Sequence, residues 1–244
     1  MKPQETLILL LGALAASCAS HRPTVSVDLP VASRYVFRGA VIDDNAVFQP
    51  GLRLEQEVGD DLLGAGLWSS FELGDDRGLE GNFTEYDVSL DYSKTFGRVD
   101  ASVGAALYEY PHTDFNASAE VFALFSINEL AVTPAFEAWY DCVDIDGVYL
   151  NFNLSKGYEL AQDWSLSAVA GIGWMDEAQA GAYFGVEQSG FSDALLQATL
   201  EHPVSEHVTL SAAAALASVL DGDYRDAVDE SENAWFAVGA TFAF

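Results

Sequence analysis

The stretch that decides the fold is Trp235-Phe-Ala-Val-Gly-Ala-Thr-Phe-Ala-Phe244. Every second residue is apolar: Phe236, Val238, Ala240, Phe242 and Phe244. The residues between them, Trp235, Ala237, Gly239, Thr241 and Ala243, are mostly small. A period of two describes a β-strand with two unlike faces. In a water-soluble sheet this strand leaves an apolar edge that invites aggregation. A closed barrel in lipid removes the edge and gives the apolar face a matching solvent. The competing reading is the last strand of a soluble sandwich, and the rest of the chain must choose.

Composition narrows the choice. The 244 residues suit one all-β domain. Hydrophobic residues make up 50% of the chain, yet no apolar run approaches the ~18 residues a membrane helix needs. The longest run, residues 7–16, is too short to span. Ten Lys+Arg stand against 38 Asp+Glu, a formal charge of −28. Such a chain has no basic footprint for nucleic acid, and it lacks the cations that line a pore for phosphate or anionic sugars. The bland account of the acid is a solvated surface, as in proteins from salty habitats.

Residues 1–20 read as a cleaved signal peptide, with the small-residue region Ala16-Ser-Cys-Ala19 as the cleavage site. Leu14-Ala-Ala-Ser-Cys18 also resembles a lipobox, which would make a lipidated Cys18 the first residue. Either cut leaves Cys142 without a partner for an internal disulfide.

From residue 24 to 244 the chain alternates in segments of roughly 10–12 residues, the length of a tilted membrane strand. Thr84–Thr95 is the clearest: Tyr86, Val88, Leu90 and Tyr92 on one face, Glu85, Asp87, Ser89 and Asp91 on the other. Connections alternate short and long, the short ones near residues 59, 97, 129, 162 and 204, the long ones near 44, 78, 114, 145, 182 and 226. The pattern defines an all-β, antiparallel up-and-down transmembrane barrel of about 12 strands, with short periplasmic turns, longer outer loops and both termini in the periplasm. Aromatics near strand ends (Tyr92, Phe96, Tyr108, Tyr110, Tyr140, Tyr158, Trp164, Trp174) read as interfacial girdles. Pro134, inside a strand, removes one ladder donor. The first strand, starting at Val31, reads through Gly39, with its turn at Asp43-Asp-Asn45 and its return from Val47 to Val58. It is long for a bilayer, so part of it should project beyond.

Ser33-Arg-Tyr-Val-Phe-Arg-Gly39, followed by a short polar loop and Phe48-Gln-Pro-Gly51, resembles the opening of the TorF family of outer-membrane porins, the conserved hypothetical gcw_chp family. Ser33, Tyr35, Phe37, Arg38, Gly39, Gln49 and Pro50 carry the match, which is sharp over roughly residues 30–55. The alternating end with its terminal aromatic also resembles the C-terminal signal of outer-membrane barrels, with Phe236, Val238, Phe242 and Phe244 as the assembly residues. The resemblance implies an outer-membrane location and a channel role, without a substrate. Expected partners are outer-membrane lipid, lipopolysaccharide and the barrel-assembly machinery.

Charge on the inward faces supplies the functional expectation. A charged side chain avoids hydrocarbon, so Arg34, Arg38 and Arg53 should point into the lumen. Glu55, Glu72, Glu85, Asp87, Asp91 and Glu137 share it. A basic wall facing an acidic wall makes a transverse field at a constriction, with a mild cation preference from the excess acid. The rival account is that these charges pair and plug the interior. No catalytic constellation forms around His21, His112, His202 or His207, so no enzyme is expected. The loops 141–147 and 221–226 fail the spacing of a calcium loop, so neither metal nor cofactor is expected.

Overall fold

The computed structural model of the chain describes residues 22–74 and 78–244. The leader, Cys18 and His21 lie outside the described residues. The strands are β1 (Thr24–Asp28), β2 (Val31–Ala32), β3 (Tyr35–Phe37), β4 (Ala40–Asp43), β5 (Val47–Phe48), β6 (Gly51–Val58), β7 (Asp61–Glu72), β8 (Phe83–Phe96), β9 (Val99–Glu109), β10 (Ser118–Ile127), β11 (Thr133–Asp141), β12 (Val148–Glu159), β13 (Ser165–Met175), β14 (Gly190–Ser205), β15 (Val208–Val219) and β16 (Glu232–Ala243). Two helices, α1 (Glu177–Phe184) and α2 (Gly222–Ala227), lie in the connections after β13 and β15.

Neighbours in sequence pair antiparallel from β6 through β16, and the sheet closes on itself. β16 meets β1 at Phe242↔Val27 and β2 at Val238↔Val31. Val25 and Phe244 exchange backbone hydrogen bonds at the seam, 3.2 and 2.9 Å. Ten staves are single strands, β7 to β16. Two are interrupted by proline, β1/β2 at Pro30 and β5/β6 at Pro50, which makes twelve. Proline lacks the ladder donor but keeps its carbonyl. The Pro30 carbonyl accepts from Gln49 N (3.0 Å) and the Pro50 carbonyl from Ser69 N (3.1 Å), so the wall stays bonded across both breaks.

The faces are inverted relative to a soluble sheet. Phe236 is 64% exposed and Val238 57%, with Leu196 and Val103 similarly bare on the outside. Asp87, Ser89 and Asp91 line the interior. No helix among the described residues is long and apolar enough to cross a membrane; apolar surface of this kind is carried by strands.

Four expectations are corrected. The first stave is Thr24–Ala32, and the strand read onward to Gly39 leaves the wall: β3 and β4 pair only with each other, as a separate two-stranded sheet. The surplus length that should project outward instead folds inward. Asp43 does turn the chain, its Oδ1 accepting from Asn45 N (2.7 Å), but the turn leads from this hairpin back to the wall. Tyr108 and Tyr110 are not girdle residues, because both border the interior chamber at the loop-bearing end. The short connection expected near 204 comes slightly later, because β14 runs through His202-Pro203 to Ser205 and the ladder only slips a register past the missing proline donor. Pro134 is tolerated because it is the second residue of β11, paired with Leu154.

The loop-bearing end of the barrel is filled. Ala40, Tyr149, Met175, Ala180, Phe184, Val219 and Tyr224 form a buried apolar cluster of hairpin, helices and wall. α1 is capped by Asp176, which accepts from Gln179 N (3.0 Å), and ends at the left-handed Gly185. Phe184 of α1 stacks on Tyr224 of α2 with ring centres 4.9 Å apart. This plug floors the longer loops and sets the shape of the lumen.

Candidate functional site

The hairpin Tyr35–Asp43 reaches across the lumen, and its tip is built for that reach. Arg38 and Gly39 both have positive φ, +50° and +84°. Two left-handed residues make the tight turn whose twist suits a hairpin, and the second of them is commonly glycine. A side chain on Gly39 would put its Cβ 2.7 Å from Asp193 Cβ on β14, so the tip also needs glycine for space. Opposite the tip, Gly173 of β13 leaves room for Asp193 and the Tyr149 hydroxyl, which a Cβ there would meet. Gly171 of the same strand likewise leaves room for Asn153, whose Oδ1 a Cβ there would meet at 2.4 Å.

Arg38 is 8% exposed and forks onto Glu120 of β10, Nη1–Oε1 2.6 Å and Nη2–Oε2 2.8 Å. The Tyr108 hydroxyl donates to the same carboxylate at 2.7 Å. The guanidinium carbon lies 4.7 Å from the Phe37 ring centre and 4.5 Å from that of Tyr149. A planar fork matches a carboxylate and stacks on aromatics, which lysine cannot do. Tyr35 packs on Trp68 of β7 at 5.5 Å, and Phe37 on Tyr183 of α1 at 6.1 Å.

The hairpin divides the interior into two chambers. The larger, about 870 Å³, extends toward the turn-bearing end. Its charged lining is Arg38 and Arg53 against Asp28, Glu55, Asp87, Asp91, Glu137 and Asp193, so 2 − 6 gives a formal −4. Arg53 grips Asp91 at 2.5 and 2.8 Å and touches Glu55 at 3.3 Å. Glu137 accepts from Asn153 (2.8 Å) and Trp139 (3.2 Å). The smaller chamber, about 420 Å³, lies on the loop side of the hairpin and is bordered by Glu85, Glu120, Asp141 and Asp144 among aromatic rings.

The expected site residues therefore separate. Arg38, Arg53, Glu55, Asp87, Asp91 and Glu137 line the larger chamber, and Glu85 the smaller. Glu72 is buried against Thr84, which donates to it at 2.7 Å, and borders neither. Arg34 does not join the other two arginines. It sits at the loop-bearing rim, bound to Asp44 and to Glu230 and Asn233 (2.7 Å each), because the chain leaves the wall just before it. The basic wall facing an acidic wall is thus replaced by separate, locally paired arginines in an acidic lumen. Sequence reasoning missed Glu120 and Asp193. Glu120 lies on the inward phase of its strand, two residues after Ser118, but its partner is 82 residues away.

The resemblance residues of the hairpin and its anchors are explained by this geometry. Ser33 anchors the base, its N donating to the Phe236 carbonyl (2.9 Å) and its Oγ accepting from Phe236 N (3.2 Å). Tyr35, Phe37, Arg38 and Gly39 form the part that crosses the lumen, and Gln49 and Pro50 restore the chain to the wall.

Fold and interior together define a closed twelve-stranded β-barrel with a hairpin latched inside it. The chain belongs to the family described as "Bacterial protein of unknown function (Gcw_chp)", whose profile matches residues 15–242. No curated protein matches it by sequence. Among solved structures it is similar to an outer membrane channel from Pseudomonas putida F1, at 12% identity and TM-score 0.58, over 94% of this chain and 98% of that one. It is similar to the KdgM porin in complex with disordered oligogalacturonate, at 9% identity and TM-score 0.53, over 91% and 99%. It is also similar to the Salmonella typhi outer membrane phospholipase dimer with bound calcium, at 14% identity and TM-score 0.50, over 89% and 90%. Likeness at these identities establishes the barrel fold alone, since one fold hosts both channels and an enzyme.

Proposed function

We propose that this protein is an outer-membrane porin-like channel of the TorF type, exported by its leader and passing small hydrophilic solutes with a preference for cations. The observation that carries the reading is the roomy, net-acidic chamber inside an apolar-walled barrel: rings of carboxylates favour cations where the field is focused by a low-dielectric wall. The apolar exterior fits lipid, and the alternation of short turns and longer loops fits periplasmic termini. The C-terminal residues Phe236, Val238, Phe242 and Phe244 are read as the contact for the assembly machinery, and the acidic outer loops face lipopolysaccharide. His202 stacks on Trp164 at 4.6 Å and His207 on Phe244 at 5.9 Å. These rings serve packing at the turn-bearing end, which supports a non-enzymatic role.

The second reading, a plugged scaffold whose outer loops do the contacting, is favoured by the buried cluster around Met175, Phe184 and Tyr224. Single-channel recording of the refolded protein in planar bilayers under a salt gradient separates the two. Discrete steps with a cation-selective reversal potential are expected. Silence from a heat-modifiable, folded barrel would discard the channel and leave the scaffold.

A further inference from the structure

The larger chamber has two unlike sides. Its charged lining stands on the hairpin, β1, β6, β8 and β11, with Asp193 of β14 under the hairpin tip. The rest of the arc from β13 to β16 is Val169, Leu195, Gln197, Ala217 and Trp235. A hydrated ion gains nothing from such an arc, because apolar surface offers no replacement for the water it would shed.

The polar side is largely committed. Arg53 holds Asp91 and touches Glu55. Asp28 accepts from Thr241 (2.5 Å), Glu137 from Asn153 (2.8 Å) and Asp193 from Ser192 (2.6 Å). Two buried oxygens of this lining have no hydrogen-bond partner among the described residues: Asp87 Oδ1 and Asn151 Oδ1. Asp87 lies across the ladder from Trp68 and Tyr108. Asn151 stands beside Tyr149, to whose hydroxyl its Nδ2 donates at 2.9 Å. Buried acceptors without donors are rare, because each forfeits its hydration.

Both atoms want a donor, but they are unlike. One belongs to a carboxylate and the other to a neutral amide, and β9, β10 and β11 separate their strands. A point cation would satisfy the first and gain little from the second. A bare metal ion is a poor answer, since no three carboxylate, histidine or cysteine side chains among the described residues converge for one. A ring with hydroxyl donors around its edge suits both acceptors. Its C–H face suits the apolar arc, where Trp235 offers a broad flat surface. The volume of about 870 Å³ falls within the range of small-molecule sites, and the net-acidic lining disfavours an anionic ring.

We propose that the turn-side chamber is a binding site for neutral polyhydroxylated rings, hexoses and cyclitols, whose hydroxyls donate to Asp87 Oδ1 and Asn151 Oδ1 while the ring face lies against Leu195 and Trp235. This rests on the reading of the barrel as a channel for small hydrophilic solutes and names the solute class.

Three of the five tryptophans, Trp68, Trp139 and Trp235, border the chamber, so their fluorescence reports its occupancy in the full barrel in detergent. The titrants are glucose, glucuronate, glucosamine and tetrahydropyran, one ring type with different charge and different donors. A saturable change with glucose is expected, with glucuronate at least tenfold weaker. Tetrahydropyran should give none, because a site that pairs its polar groups with hydroxyls rejects an analogue lacking them. Asn151→Leu and Asp87→Leu should each weaken glucose at least tenfold, without changing heat-modifiability. Glucosamine binding tenfold tighter than glucose would overturn the proposal by making charge the selector. So would equal binding of glucose and tetrahydropyran, glucose affinity unchanged in both variants, or no glucose binding to the folded protein. The titrant series on the wild-type barrel decides the class even where a variant fails to fold. Bilayer conductance on the same samples keeps the two readings apart. A conducting barrel that ignores glucose sinks the site and spares the channel. A silent barrel that binds it does the reverse.

Discussion

Arg38→Ala tests the latch that shapes the lumen. Alanine keeps a Cβ at φ +50°, so the cost of a left-handed residue, about 1–2 kcal/mol, is the same in both proteins and cancels. What changes is the ion pair, whose side chains are only 5% and 4% exposed. Removing one partner of such a pair costs about 3–5 kcal/mol, because the other charge stays buried and unpaired. Glu120 would be left with one tyrosine hydroxyl and with Asp87 and Glu85 nearby. The hairpin shares no ladder with the wall. The contacts that remain are the Tyr35–Trp68 and Phe37–Tyr183 ring pairs, worth roughly 0.5–1.5 kcal/mol each, and the packing of Ala40 and Ile42 in the buried cluster. A loss of that size lowers the population of the docked hairpin by about two to three and a half orders of magnitude, at 1.4 kcal/mol per tenfold. Hydrogen exchange of the Tyr35–Asp43 amides reads this directly, and the single-channel step should grow as the obstruction leaves. The paired change Arg38→Met with Glu120→Leu should restore protection, since an apolar pair of similar volume replaces a buried ion pair without loss. Wild-type exchange and wild-type conductance in Arg38→Ala would refute the latch.

Gly39→Val should reproduce the Arg38→Ala phenotype through sterics and backbone, because its Cβ would press on Asp193; unchanged exchange in the hairpin would contradict the tight fit. Val238→Arg places a charge on the outward face near the middle of β16 and should cost about 2–4 kcal/mol of barrel stability in bilayers, whereas the inward Trp235→Gln should cost less; urea titration in liposomes ranks them, and the opposite order would reverse the assigned faces. Gly104→Ala drives a Cβ to 2.5 Å from the Leu90 carbonyl and against Phe122, an overpacking of about 1–3 kcal/mol; the unfolding temperature of the heat-modifiable band should fall accordingly.

The barrel was legible because its signal is local. Alternation along Thr84–Thr95 and Trp235–Phe244 assigns each side chain to a face whatever strand lies beside it, and the spacing of turn residues counts the staves. Arg53 with Asp91 was also within reach, since both lie on the inward phase of neighbouring hairpins. The hairpin was not. Residues 31–39 alternate equally well as a wall strand or as one arm of an inserted hairpin, and the two differ only in partner. Val31 pairs with Val238, and Arg38 with Glu120; neither partner is marked in the local pattern. Sequence by itself determined the number of staves, the lipid face and the acidic interior, because side-chain period is a property of the backbone. Only the tertiary structure decided which segment closes the seam and which folds into the lumen, because those choices depend on ladder bonds and buried charge pairs formed between residues far apart in the chain.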